Sequence, residues 1–379
     1  MNHSSSNKFI TTISALLLTM SSQVHSTITE NSKADSISTL ATENGLSEAA
    51  HQYLLRYPSI SGVDGKTIRE DTAAIFIPFG PTPEGGWPVV VWAHGTVGVA
   101  THCAPSINQR SERDKQYLNT WLSLGYAVVA PDYAGLGSSG LHHYLDAQGE
   151  AWSIIDGVKA ALKKFPLKNE IILVGQSQGA HAAFATAGYQ AQYAPELKIK
   201  ATIITGVPYF DRDIIATDIL KSSNDKNSGD PKIPYILYMY LSAADTNPSL
   251  TPETFFQEKA IPLLMDARNQ CITKLNNQVM HAGININNAL KPEINSLLNS
   301  SLDRIIYPTL KIEHPVFIGI GSEDINVPTE IQKKFAERVQ ASGTEVDIHV
   351  YDGLDHSGTV NASLRDSIPF ILKTTNSKN

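Results

Sequence analysis

Gly175-Gln176-Ser177-Gln178-Gly179 lies between an apolar run, Ile171-Ile172-Leu173-Val174, and an alanine-rich helical stretch from Ala180 to Ala187. A serine on so sharp a strand-to-helix turn is held in strained backbone angles with its hydroxyl above the sheet, and the glycines remove Cβ atoms that would collide across the turn. An ordinary helix N-terminus is the competing explanation of the same residues. A hydroxyl is a weak nucleophile until a base takes its proton, and the base must itself be oriented by a carboxylate. A serine elbow of this kind requires the chain order Ser, acid, His. Of the 12 histidines, His3 and His25 fall in the leader, and His51, His94, His102, His142, His143 and His181 precede or directly follow Ser177. His281 and His314 precede the candidate acid, and His349 lies within a strand-like run. His356, in Asp352-Gly353-Leu354-Asp355-His356-Ser357-Gly358, is left as the general base.

The acid is expected in Gly321-Ser322-Glu323-Asp324-Ile325-Asn326, after the strand-like Val316 to Ile320. Asp324 is the choice, adjacent Glu323 the alternative, and Asp355 reads as a loop or capping residue. Charge that develops on a substrate carbonyl oxygen needs two backbone N–H donors. They are assigned to Gln178 and, in the loop His94-Gly95-Thr96-Val97-Gly98, to Thr96, with His94 as a buried brace for that loop. Asp132 reads as a turn residue. His142-His143 does not have metal-ligand spacing, no paired Cys-x-x-Cys occurs and the glycines lack phosphate-loop spacing, so neither a metal nor another cofactor is expected.

These residues need a scaffold of buried strands alternating with helices. Strand-like runs at Thr72 to Pro78, Pro88 to Ala93, Tyr126 to Ala130, Glu170 to Val174 and Ile199 to Thr205 are continuous and apolar, as in buried parallel sheets. Helical patterns separate them at Glu112 to Leu124, Asp146 to Phe165 and from Ser177 onward, which predicts an α/β fold with a doubly wound sheet. Residues 208–308 interrupt the alternation with helical patterns, including Pro252 to Leu275 and Asn285 to Leu302, and read as an inserted helical cap. The sheet resumes with Pro315 to Ile320, a helix Thr329 to Ser342, a strand Glu345 to Tyr351 and a closing helix Val360 to Leu372. The core is thus 51–207 and 309–379.

Residues 1–26 have a start ending in Lys8, an apolar run from Phe9 to Met20 and a small-residue exit at Ser26, the pattern of a cleaved signal peptide. Residues 27–50 are polar and aperiodic and read as a flexible leader, with order beginning near Tyr53. Export predicts a secreted or periplasmic protein, in which Cys103 and Cys271, the 2 cysteines of the chain, favour a disulfide over two buried thiols. Loss of the leader removes one lysine and no acid, taking the formal charge from −7 to −8. With no basic stripe to neutralise phosphates, nucleic acid is excluded as a partner. The 42% hydrophobic and 18% charged content is that of a globular protein. Asn299-Ser300-Ser301 and Asn361-Ala362-Ser363 match glycosylation acceptors.

Taken in order, His94-Gly95-Thr96-Val97-Gly98 with Cys103-Ala104-Pro105-Ser106, then Pro131-Asp132-Tyr133-Ala134-Gly135-Leu136-Gly137, the elbow and the helical insertion resemble the secretory lipase family (lipase A type) of α/β-hydrolases over residues 50–375. The resemblance implies an α/β-hydrolase core and hydrolysis of carboxylic esters, often acylglycerols. It further implies a cap that binds the acyl chain. No stretch after the leader reaches membrane-spanning length, and transient contact with a lipid interface and a monomer are the expected associations. The resemblance carries over Ser177, Asp324 and His356 as the triad, with Thr96 and Gln178 as oxyanion donors. Lipase A members carry an acidic residue where Thr96 stands, a departure at the oxyanion loop. Ile233 to Leu241 would lie in the cap as acyl-pocket lining or as cap core, with Tyr238 and Leu241 as chain-length determinants. A serine exopeptidase or amidase on the same fold, and a catalytically inactive binding protein, are the other readings these residues leave open.

Overall fold

Val89-Val90-Val91, Val128-Val129 and Ile171-Ile172 lose essentially all solvent contact on both faces of their strands, as a sheet packed between two helical layers requires. A computed structural model describes residues 1, 35–214 and 228–376. Its strands are β1 (Ser36–Thr39), β2 (Ala49–Ile60), β3 (Ile68–Pro78), β4 (Trp87–Ala93), β5 (Ala127–Pro131), β6 (Leu167–Gln176), β7 (Ile199–Thr205), β8 (Val316–Gly321) and β9 (Val346–Tyr351). They form one 9-stranded sheet in the order β1-β2-β3-β5-β4-β6-β7-β8-β9. The pairs β1–β2, β2–β3 and β3–β5 are antiparallel, and all pairings from β5 to β9 are parallel.

The longer helices are α1 (Glu112–Ser123), α2 (Ala147–Lys164), α3 (Gln178–Tyr193), α4 (Ile233–Thr246), α5 (Ile261–Asn269), α6 (Ile272–His281), α7 (Ile294–Ile305), α8 (Thr329–Ala341) and α9 (Leu364–Asn376). Alternate strand residues face opposite layers. Val89, Val91, Ile171 and Leu173 pack with α2, α3 and Phe335 of α8. Val90, Trp92, Ile172 and Val174 pack with Tyr117 and Trp121 of α1 and with Phe370 of α9. Between β7 and β8 the described residues form helices and a single isolated bridge, Phe256 to Leu290, with their own apolar core around Leu237, Phe256, Leu275 and Leu297.

Order begins earlier than Tyr53, and the flexible-leader reading of 27–50 is corrected from Ser36 onward. β1 pairs with β2 from Ser36↔Arg56 to Thr39↔Tyr53. All four β1 side chains are exposed, so backbone bonds hold this edge strand and no apolar alternation marks it; Leu40 and Leu46 behind it are the buried anchors. The signal peptide beyond Met1, and residues 27–34, lie outside the described residues. The continuous helix expected over Pro252 to Leu275 is broken. Pro262, lacking an N–H, stands in the first turn of α5, and extended Cys271 separates α5 from α6. Pro292 likewise divides the stretch Asn285 to Leu302 into a short turn, Ile286–Ala289, and α7.

Candidate active site

The parallel register carries the ends of β4, β6 and β7 to one edge, with Ala93 beside Gly175 and Gln176 beside Thr205. The loops after β4, β6, β7, β8 and β9 leave that edge together, the position where open α/β sheets hold their ligands. Ser177 stands between the end of β6 and the start of α3 with φ 58° and ψ −122°, a conformation a side-chain-bearing residue adopts only at a cost of about 1–3 kcal/mol. The turn is braced from the backbone, because the Ser177 N–H donates to Thr205 O at 2.9 Å. Close approach explains both flanking glycines: a Cβ on Gly175 would strike the carbonyl of Gly179, and one on Gly179 would strike that of Ala93.

His356 Nδ1 lies 2.6 Å from Asp324 Oδ2. Three more donors fix that carboxylate: the Asn326 and Val327 amides reach Oδ1 at 3.0 and 2.9 Å, and Gln332 Nε2 reaches Oδ2 at 2.8 Å. With four bonds on two oxygens the Asp324 side chain, 1% exposed, has its lone pairs satisfied. Glu323 is exposed and does not join this set; its N–H donates to Leu354 O. Asp355 accepts from the amides of Ser357 and Gly358, a local turn role. Ser177, His356 and Thr96 line one open groove together with Gln176, Arg113 and Tyr235.

Thr96 is half-buried, and its Oγ1 is 2.9 Å from the hydroxyl of Tyr144. His94 is a brace. Its ring nitrogens face the carbonyls of Gly95 and Asp132 at 2.7 and 3.2 Å, and its ring stacks on Tyr133 at 4.1 Å. Burial pushes the imidazole down to about 4, outweighing the two backbone bonds, and leaves it neutral at pH 7. Asp132 is buried in the turn, where it accepts from Ser106 N and Thr72 Oγ1. Cys103 and Cys271 form a disulfide across 168 residues, and Ile272 N donates to Val97 O at 2.8 Å, so the loop after β4 and α6 are joined twice.

Ser177 also borders a second cavity. Pro208, Phe210, Ile236, Met239, Leu298 and Ile331 make it predominantly apolar. Tyr235 borders both cavities. The expectation for Tyr238 and Leu241 is corrected: both are buried in the helical core without lining the cavity, whereas Tyr235, Ile236 and Met239 line it from α4. A helix turns 100° per residue, so positions i, i+1 and i+4 share a face that i+3 and i+6 flank or oppose.

Beneath the elbow lies a polar network that sequence reasoning missed. Gln178 Nε2 donates to Glu150 Oε1 and to His142 Nε2, both at 2.7 Å, while His142 Nδ1 donates to Ala134 O at 2.9 Å. Burial lowers His142 to about 3, so it is neutral and its Nε2 is free to accept. Burial raises the Glu150 carboxyl, and bonds from His181 and Gln178 oppose that rise. A Glu in the first turn of a helix and scattered histidines carry no local signal of this meeting. Gln332 was missed for the same reason, standing eight positions after its partner on a different element.

Residues 107–363, more than half of the chain, match the family model described as Secretory lipase. The chain belongs to the secretory lipase family. As a family member it is a hydrolase of the lipase/esterase type that acts on esters. No curated protein matches this secretory lipase in sequence. Its structure resembles a putative hydrolase from Legionella pneumophila, with TM-score 0.73 and 21% identity over 87% of this chain and 90% of the other. It also resembles Candida antarctica lipase A in its closed state, with TM-score 0.71 and 19% identity over 91% and 82% of the two chains. The rice cell wall degrading esterase LipA from Xanthomonas oryzae gives TM-score 0.68 and 20% identity over 86% and 90%. At these identities the likeness establishes the α/β-hydrolase fold.

Proposed function

We propose that this secretory lipase is an exported serine ester hydrolase working through a Ser177-His356-Asp324 triad and an acyl-enzyme. The observation that carries the reading is the 2.6 Å bond to a fully bonded, buried Asp324 from His356, which lines the same groove as Ser177. Ser177 Oγ attacks the ester carbonyl carbon as His356 takes its proton, and Asp324 holds the ring and stabilises the imidazolium. The carbonyl oxygen becomes an oxyanion, received by the backbone N–H groups of Thr96 and Gln178. Collapse of the tetrahedral intermediate breaks the bond to the alcohol oxygen, which leaves with the proton from His356. Water then gives its proton to His356 and attacks the acyl carbon, and Ser177 regains its proton as the acid departs.

In this reading the helices between β7 and β8 act as the cap: the acyl chain lies in the apolar cavity beneath α4 and the alcohol in the open groove beside Arg113. Export is supported by the leader pattern and by the disulfide, which persists in oxidising compartments. The test is a panel of nitrophenyl esters of rising chain length beside aminoacyl anilides, run on the wild type and Ser177→Ala. Ester turnover that falls by about 10⁴-fold or more in the variant supports the triad, whereas anilide turnover as fast as ester turnover overturns the substrate assignment.

A further inference from the structure

Glu150 is a carboxylate with 1% of its side chain exposed, and its side-chain polar contacts are to the loop between β5 and α2, through His142 and Leu145, and to α3, through Gln178 and His181. Its Oε1 accepts from Gln178 Nε2 at 2.7 Å, so it grips the residue whose backbone N–H is one assigned oxyanion donor. The same oxygen accepts from the N–H of Leu145 at 3.1 Å. Leu145 is held at φ 59°, in the left-handed region that side chains resist, and something must hold it there. Its neighbour Tyr144 extends from this strained turn to the hydroxyl of Thr96, the other assigned donor, at 2.9 Å. The second oxygen of Glu150 faces His181 Nδ1 at 3.3 Å, and His181 Nε2 donates to Ile305 O at the end of α7 at 2.7 Å. One buried acid therefore sets both walls of the oxyanion site and ties them to the helical insertion. Burying an acid is costly, and a hydrophobic side chain would fill the same space beneath α3 without that cost.

We propose that Glu150 is a positioning residue for oxyanion stabilisation, holding Gln178 directly and Thr96 through Leu145 and Tyr144. The inference rests on the triad reading. Loss of the acid frees the Gln178 side chain and the 144–145 turn, so both donors move away from where charge develops while the acyl and alcohol cavities stay open. The cost therefore falls on the transition state and on kcat rather than on KM.

The experiment measures kcat and KM of Glu150→Ala, Glu150→Gln and Tyr144→Phe on one nitrophenyl ester, each normalised to fluorophosphonate-titrated serine so that misfolded protein does not count. Affinity for a trifluoromethyl ketone, which forms a tetrahedral adduct on a serine, is measured beside it. The expected result is a kcat loss of about 10²-fold in Glu150→Ala with KM little changed. Ketone affinity falls in parallel, Glu150→Gln recovers part of the loss because its amide oxygen still accepts, and Tyr144→Phe loses kcat to a smaller extent. If Glu150→Ala does not fold, the other two variants carry the same reading. Unchanged kcat per titrated serine, or equal losses in the Gln and Ala variants with ketone affinity intact, overturns the proposal. An active Ser177→Ala enzyme would instead overturn the triad reading beneath it.

Discussion

A Cβ on Gly206 would stand 2.7 Å from Cε1 and 2.9 Å from Nδ1 of His356, and 3.6 Å from Oδ2 of Asp324. This residue, just past β7, also has φ 61°, so it supplies both the turn and the space into which the imidazole fits. Gly206→Ala is expected to push His356 off its bond to Asp324 and to cut kcat by about 10²-fold, the cost of a displacement near 1 Å. Steady-state kinetics checks this, and a variant with wild-type kcat would show that the imidazole does not depend on this contact. Ser177, Asp324 and His356 could be chosen from the sequence because the chemistry proposed for them dictates both residue type and chain order. Gly206, Gln332, Tyr144 and Glu150 could not, since each matters only through a neighbour brought close by tertiary packing. Thr96 shows the same limit: its loop could be read, but its hydroxyl partner 48 positions away could not.

Elements with a strong internal pattern were readable, and those held by backbone pairing or by distant partners were not. β7 runs from Ile199 to Thr205, the span its β-branched residues predict. β1, exposed on every side chain, carries no such pattern, and α5 and α6 part where Cys271 is drawn to Cys103. On α4 the apolar run was evident but its orientation was not, because Ile233 to Leu241 is apolar on nearly every face. The structure separates the two roles. Met239→Trp fills the cavity beside Ser177 and is expected to shift preference toward shorter acyl chains. Leu241→Ala is expected to cost roughly 2–4 kcal/mol of stability while leaving the chain-length profile in place. Ester panels and urea melts of the two variants check the division, and a profile altered only by Leu241→Ala would reverse the assignment of faces.

At the scale of the whole molecule, the sheet presents its loops at one edge and a 168-residue disulfide loop ties the β4 loop to the helical insertion. The chain-entropy model gives a closure of this length about 5 kcal/mol. The paired substitution Cys103→Ser with Cys271→Ser is expected to lose stability up to that amount and, because Val97 and α6 part company, to lower kcat as well; denaturant melts and ester kinetics check both. Class and core alternation followed from the apolar runs, while the way the insertion meets the core was set by contacts between segments far apart in the chain, such as His181 with Ile305. The central claim remains that one serine on a strained turn does the chemistry. Peptide mapping of the mature protein after reaction with a fluorophosphonate tests it most directly. The account predicts one phosphonyl group, on the peptide containing Ser177, with ester hydrolysis lost in proportion to labelling. Full ester hydrolysis in a protein that carries no adduct at Ser177 would contradict it.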